Sequence, residues 1–140
     1  MIRYIRKFII NNNLDGYIVA KNDYYFTEYS KVNNLTKVSN FTGSAGFALI
    51  LKKKNYLFVD GRYTLQANRQ SGKNFKIFQI PYHWPKDIEN IQNLKIGFNP
   101  KLFTEKTLKL YFENKVNLIP LEFNFKNKND KKVNKIFTLN

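Results

Sequence analysis

Two apolar runs, Phe47 to Leu51 and Tyr56 to Val59, are separated only by Lys52-Lys53-Lys54-Asn55. Strand-length apolar runs bounded by turn residues read as paired strands, and the lysines between them belong in water, so the chain reverses there. No other segment constrains the fold as much as this hairpin. Gly43-Ser44-Ala45-Gly46 reads as a tight turn opening the first strand, and Asp60-Gly61 breaks the second. Asp60 is placed to accept a backbone N–H and cap a helix over Arg62 to Gln70, which Ser71-Gly72 stops.

The rest of the chain is read around the hairpin. Ile2, Ile5 and Ile9 recur at helical spacing with Arg3, Arg6 and Lys7 between them, the pattern of an amphipathic helix that Asn11-Asn12-Asn13 ends. Gly16 to Ala20 is a strand, apolar throughout and therefore expected to be buried on both faces. Asn22 to Asn40 is expected to form short helical turns and loops. Further strands are expected over Asn74 to Ile80, Lys95 to Phe98 and Val116 to Ile119, with a short helix over Asp87 to Gln92. Thr104 caps a last helix to Glu113, with Leu108, Tyr111 and Phe112 as its buried face. Alternating helices and strands imply crossovers and parallel pairing, while the hairpin adds an antiparallel pair. The expected class is α/β, a mixed sheet with helices on both faces. From Glu122 the chain turns Lys/Asn-rich. The domain is drawn as 1–124, and 125–140 as a linker or the start of a following domain.

A chain of 140 residues suits one domain with a core of its own. Its formal net charge of +14, from 24 basic and 10 acidic side chains, admits two readings. One is a binder of nucleic acid or acidic membranes; the other is a set of solvated faces rich in Lys and Asn. The cations are dispersed, are nearly all Lys and are not interleaved with aromatics, so the second reading is adopted and nucleic acid is not expected as a partner. The absence of cysteine excludes disulfides, thiolate nucleophiles and Cys-based zinc sites. No segment approaches the roughly 20 apolar residues of a membrane span. A cytoplasmic protein with no membrane partner is expected.

Few residues carry chemistry. The one histidine, His83, lies in Pro81-Tyr82-His83-Trp84-Pro85 without the neighbouring ligands that a metal site needs. The ten acids are scattered, and Asp87 and Glu89 do not share a helix face. The Gly43 to Gly46 turn lacks the Gly-Lys-Ser/Thr ending of a phosphate loop, and Ser44 is not in a Gly-x-Ser-x-Gly elbow. Arg62 is the remaining candidate. It follows Asp60-Gly61 at a strand-to-helix junction, where a guanidinium could clamp a carboxylate in a two-pronged bond. The alternative is an exposed arginine at a helix start, a place where the helix dipole disfavours a cation.

Three stretches resemble the aminopeptidase P and creatinase group. They are Leu14-Asp15-Gly16-Tyr17-Ile18-Val19 with Asn22-Asp23 and Tyr29; Val38-Ser39-Asn40-Phe41-Thr42-Gly43-Ser44-Ala45-Gly46; and Phe58-Val59-Asp60-Gly61-Arg62-Tyr63-Thr64-Leu65-Gln66-Ala67. Lys95-Ile96-Gly97-Phe98-Asn99-Pro100 and Leu118-Ile119-Pro120-Leu121-Glu122 add to the likeness, which runs to about Asn124. The family has Pro where this chain has Ala20, and His where it has Tyr25 or Phe26.

The resemblance implies the creatinase amino-terminal-domain fold, ribonuclease H-like. It also implies a non-catalytic role in shaping the substrate cleft of a catalytic pita-bread domain and in forming a homodimer. Carried over, the arginine at the substrate site is Arg62. The whole enzyme of the family removes an amino-terminal residue that precedes proline, using two divalent metal ions, usually manganese, on ligands in its carboxy-terminal domain. No motif for those ligands occurs here, so the chain alone is expected neither to hold a cofactor nor to hydrolyse peptides. A free-standing, catalytically inactive module binding proteins or peptides is the alternative.

Overall fold

Ile5 and Ile9 of the first helix are wholly buried, whereas Arg3, Tyr4 and Lys7 face water, as the spacing of the isoleucines requires. In the computed structural model, which describes residues 1–21, 34–43 and 45–125, this helix is α1 (Ile2–Asn11). The strands are β1 (Gly16–Ala20), β2 (Phe47–Leu51), β3 (Asn55–Asp60), β4 (Lys76–Ile80), β5 (Lys95–Phe98) and β6 (Asn117–Pro120). Three further helices are α2 (Asn34–Ser39), α3 (Thr64–Ser71) and α4 (Glu105–Phe112). The expected turns and loops over 22–33 lie outside the described residues, as do Ser44 and the tail from 126 on.

The six strands form one sheet in the order β4-β3-β2-β1-β5-β6. β2 is antiparallel to both β1 and β3, and the β1–β5, β5–β6 and β3–β4 pairs are parallel. The sheet is therefore mixed, with β2 alone reversed, as the hairpin and the alternation of elements imply. α1 is tied to the hairpin turn by Arg6, whose Nε donates to the Leu51 carbonyl at 3.1 Å and whose Nη2 donates to Asn55 Oδ1 at 2.6 Å.

Alternation of side chains along the strands fills two cores. On one face Ala48, Ile50, Leu57 and Val59 pack with Ile5, Ile9, Leu35, Phe41 and Ala67. On the other, Phe47, Leu49 and Phe58 pack with Ile88, Ile91, Leu108 and Phe112. α4 begins as expected, with Thr104 Oγ1 accepting from the Thr107 N–H at 3.1 Å. It ends at Glu113, which is in the left-handed conformation. Tyr111 is only half-buried beside the buried Leu108 and Phe112.

Two expectations need correction. No helix forms over Asp87 to Gln92. A single 3-10 turn spans Pro85–Asp87, Ile88 is already extended (ψ 133°), and Asn90 and Asn93 take φ of 65° and 66°. The asparagines tolerate this left-handed backbone, which a helix excludes. The Asp60-capped segment also starts differently: Gly61–Tyr63 is a 3-10 turn, and the α-helix proper starts at Thr64.

Glycine immediately before β2 has a conformational reason. Gly46 has φ +151°, and a Cβ there would lie 2.9 Å from the Phe58 carbonyl oxygen of the neighbouring strand. Gly46→Ala is therefore expected to cost about 1–3 kcal/mol, from backbone strain together with a displaced hairpin. Chemical denaturation of the two proteins measures it, with Ser71→Ala as a comparison that removes only one hydrogen bond, to the Ser39 carbonyl.

Candidate functional site

Because β3 and β4 are parallel and Asp60 pairs with Ile80, the segments that follow them emerge at the same end of the sheet. Asp60-Gly61-Arg62-Tyr63 thus lies beside Pro81-Tyr82-His83. The approach is close: a Cβ on Gly61 would meet the Gln79 amide nitrogen at 2.6 Å. Any larger residue would have to push that side chain aside.

Asp60 does more than cap. Its Oδ1 accepts the Arg62 backbone N–H at 2.8 Å and the Arg62 Nε at 3.1 Å, and its Oδ2 accepts Nη2 at 3.1 Å. The fork of Arg62 is therefore engaged by its own neighbour, although the side chain is 74% exposed. These hydrogen bonds hold the Asp60 carboxyl below its ordinary range and the guanidinium above its own. The carboxylate also offsets the unfavourable placement of a cation at a helix start. The guanidinium lies 5.4 Å from the centroid of the Tyr63 ring. Tyr63 is in turn set edge-on to Phe41, with ring centroids 6.1 Å apart. Arg62 is thus aimed by an acid on one side and an aromatic on the other, and its Nη1 makes no hydrogen bond among the described residues.

The two motif stretches flanking the hairpin meet in space. Thr42 donates its N–H to Gln70 Oε1 at 3.0 Å, and its hydroxyl accepts from Gln66 Nε2 and Gln70 Nε2 at 3.1 and 2.9 Å. The Phe41-Thr42-Gly43 segment is thereby fixed to α3, with Phe41 set against Tyr63, the residue after Arg62. Two of the large apolar side chains most exposed to water, Leu65 at 72% and Tyr82 at 74%, belong to the segments that follow β3 and β4 at this end. Sequence reasoning singled out Arg62 but missed Asp60 as its ion partner, and it missed Leu65 and Tyr82. The short i to i+2 spacing of Asp60 and Arg62 was the available signal.

His83 is exposed, with its ring stacked on Phe78 at 5.2 Å and its backbone N–H donated to the Gln79 carbonyl at 3.0 Å. Among the described residues, no group of three or more His, Asp or Glu side chains could hold a metal ion. None of their helices is long and apolar enough to cross a membrane.

A reversed strand within an otherwise parallel sheet, and an anchored arginine at the strand ends, define an α/β module that presents a cation at one end of its sheet. The sequence pattern of the Creatinase/Prolidase N-terminal domain matches residues 1–122, and the chain belongs to that family. Among curated relatives, the probable Xaa-Pro aminopeptidase P of Coprinopsis cinerea is 32% identical over 111 residues, covering 73% of this chain and 18% of the relative. Xaa-Pro aminopeptidase 2 of Rattus norvegicus is also 32% identical over 111 residues, covering 71% of this chain and 16% of its own length. The chain thus spans less than a fifth of these relatives.

Solved structures share the fold. The N-terminal domain of the cytoplasmic peptidase PepQ from Mycobacterium tuberculosis H37Rv superposes with a TM-score of 0.67 at 22% identity, covering 86% of this chain and 92% of that one. X-prolyl aminopeptidase from Caenorhabditis elegans, described as a cytosolic enzyme with a di-nuclear active site, gives 0.60 at 23% identity, over 89% of this chain and 21% of that one. The described residues here do not supply a donor set for such a centre.

Proposed function

We propose that this chain acts as the non-catalytic amino-terminal domain of a cytosolic Xaa-Pro aminopeptidase. In this reading it lines the substrate cleft of a catalytic pita-bread domain and contributes to a homodimer. The two metal ions, manganese in this proposal, sit on ligands outside residues 1–124, and residues 125–140 lead toward that part. The observation that carries the reading is Arg62: exposed, yet held in one place by Asp60 and Tyr63. An arginine with this support can meet the carboxylate or carbonyls of a peptide with little further loss of side-chain entropy. The exposed Leu65 and Tyr82 offer the apolar contact area that a domain partner needs.

The intact mass of the native product tests the tethered arrangement, which requires a mass several times the 16.7 kDa of this sequence. For the role of Arg62, Arg62→Ala in the complete enzyme is expected to lower kcat/KM for an Xaa-Pro peptide by about 10–100-fold, the worth of one charge-assisted hydrogen bond. The isolated domain is expected to melt at nearly the same temperature. Unchanged kinetics would remove Arg62 from the substrate site.

A further inference from the structure

The opposite end of the sheet has a different character. Lysines that are dispersed in sequence are gathered there by the strand topology. The Lys52-Lys53-Lys54 turn joins β2 to β3, Lys76 opens β4, Lys73 lies in the turn just before it, and Lys95 opens β5. The register places these positions at one end of the sheet, because Leu51 pairs with Gly16, Gly16 with Ile96, and Tyr56 with Lys76. All six lysines are exposed. Asp15 is the acid set among them, and it is already engaged: its Oδ2 accepts the Lys95 backbone N–H at 2.8 Å, and its Oδ1 lies 3.7 Å from Lys52 Nζ. The side chains of Lys53, Lys54, Lys73 and Lys95 make no hydrogen bond or ion pair among the described residues.

We propose that this lysine rim binds the phosphate backbone of a nucleic-acid duplex. Four inter-strand spacings from β4 to β5 extend it over about 19 Å. One strand of a duplex carries about five phosphates over that distance. Among the described residues, no exposed aromatic lies in the turns and strand starts that carry these lysines, so bases have nothing there to stack on and the contact is to phosphates without sequence preference. Among the described residues the lysine-bearing turns and strand starts also lack the aromatic and apolar centre of a protein interface. Lysine suits this role as a mobile point charge. The proposal concerns the end of the sheet away from Arg62 and does not depend on the aminopeptidase reading.

The test is fluorescence anisotropy with a labelled 20-base-pair DNA duplex of arbitrary sequence, from 50 to 200 mM KCl. With about four phosphates neutralised, affinity is expected to fall by about 150-fold across that range. Lys53→Glu/Lys76→Glu is expected to lower affinity at least tenfold at 50 mM and to halve the slope of log affinity against log salt. Lys106→Glu/Lys109→Glu changes the net charge equally on the exposed face of α4 and is expected to shift affinity by less than about twofold. All four positions are exposed, and thermal melts check that both variants remain folded. Absence of duplex binding at 50 mM would overturn the proposal. So would equal weakening by the two variants, which would mean bulk charge alone. Tighter binding of labelled poly-glutamate of matched charge than of the duplex, at the same salt, would also overturn it and make an acidic polypeptide the ligand.

Discussion

Phe58→Ala is expected to destabilise the domain by about 3–5 kcal/mol, a large part of the 5–15 kcal/mol that holds such a domain together. Phe58 is fully buried on β3, between two directly paired strands. Its ring stacks on Phe47 at 4.9 Å and on Phe78 at 5.4 Å. The stack continues from Phe47 to Tyr111 of α4 at 4.1 Å, and from Tyr111 to Trp84 at 5.6 Å. Removing the central ring opens a cavity and severs both contacts, each of which is worth about 0.5–1.5 kcal/mol beyond area burial. The hairpin, β4 and α4 would all lose a packing partner. Urea denaturation measures the loss. Leu65→Ala, on the exposed face of α3, is expected to stay within about 0.5 kcal/mol of the parent. A Phe58→Ala protein as stable as the parent would mean that the aromatic stack is not the core of this face.

The elements legible in the sequence are those whose signal is local. The hairpin is two apolar runs around a lysine turn, and α1 is three isoleucines at helical spacing; each carries its own period. The cap on α4 is a threonine immediately before a helical run. By contrast, Asp87 to Gln92 has helix-like composition, but its backbone is decided by Pro85 and by asparagines in left-handed conformation. Arg62 was legible as a candidate because it sits at a strand end, yet its engagement by Asp60 follows from the 3-10 geometry of Gly61–Tyr63, which composition does not encode. The lysine rim was invisible for a different reason. Its members lie as far apart in the chain as Lys52 and Lys95, and only the strand order makes them neighbours. Dispersal in sequence therefore says little about dispersal on the surface of a mixed sheet.

Tyr17 shows the same limit at its most consequential. Its ring is buried on β1, edge-on to Phe8 at 5.6 Å. Its hydroxyl donates to the Leu121 carbonyl at 2.6 Å and accepts the Phe123 N–H at 3.1 Å. One side chain thus satisfies both sides of the segment leaving β6 and holds it against α1, where Phe123 packs on Phe8 and Phe125 on Phe123. Tyr17→Ala is expected to cost about 3–5 kcal/mol, because it deletes the ring and orphans both backbone groups. Tyr17→Phe keeps the ring, and its expected cost of about 1–3 kcal/mol isolates the hydroxyl. The two variants differ in a second respect from any merely packed residue. Burial, the largest cause, pushes the Tyr17 hydroxyl well above the ordinary tyrosine range; the Phe123 N–H lowers it, and the charge of Glu122 raises it further. A group whose titration is raised by folding contributes stability that is complete below its unfolded value, here 10.0, and is lost as the pH rises above it. In the parent, unfolding free energy should therefore fall steeply above about pH 10, since the unfolded tyrosine ionises there and the folded one does not. In Tyr17→Phe that part of the alkaline fall should vanish, leaving a shallower curve from the remaining tyrosines and lysines. Denaturant titrations at pH 8, 10 and 11 decide it. Parallel curves for the two proteins would mean that the Tyr17 hydroxyl does not hold the Leu121 to Phe123 segment in solution.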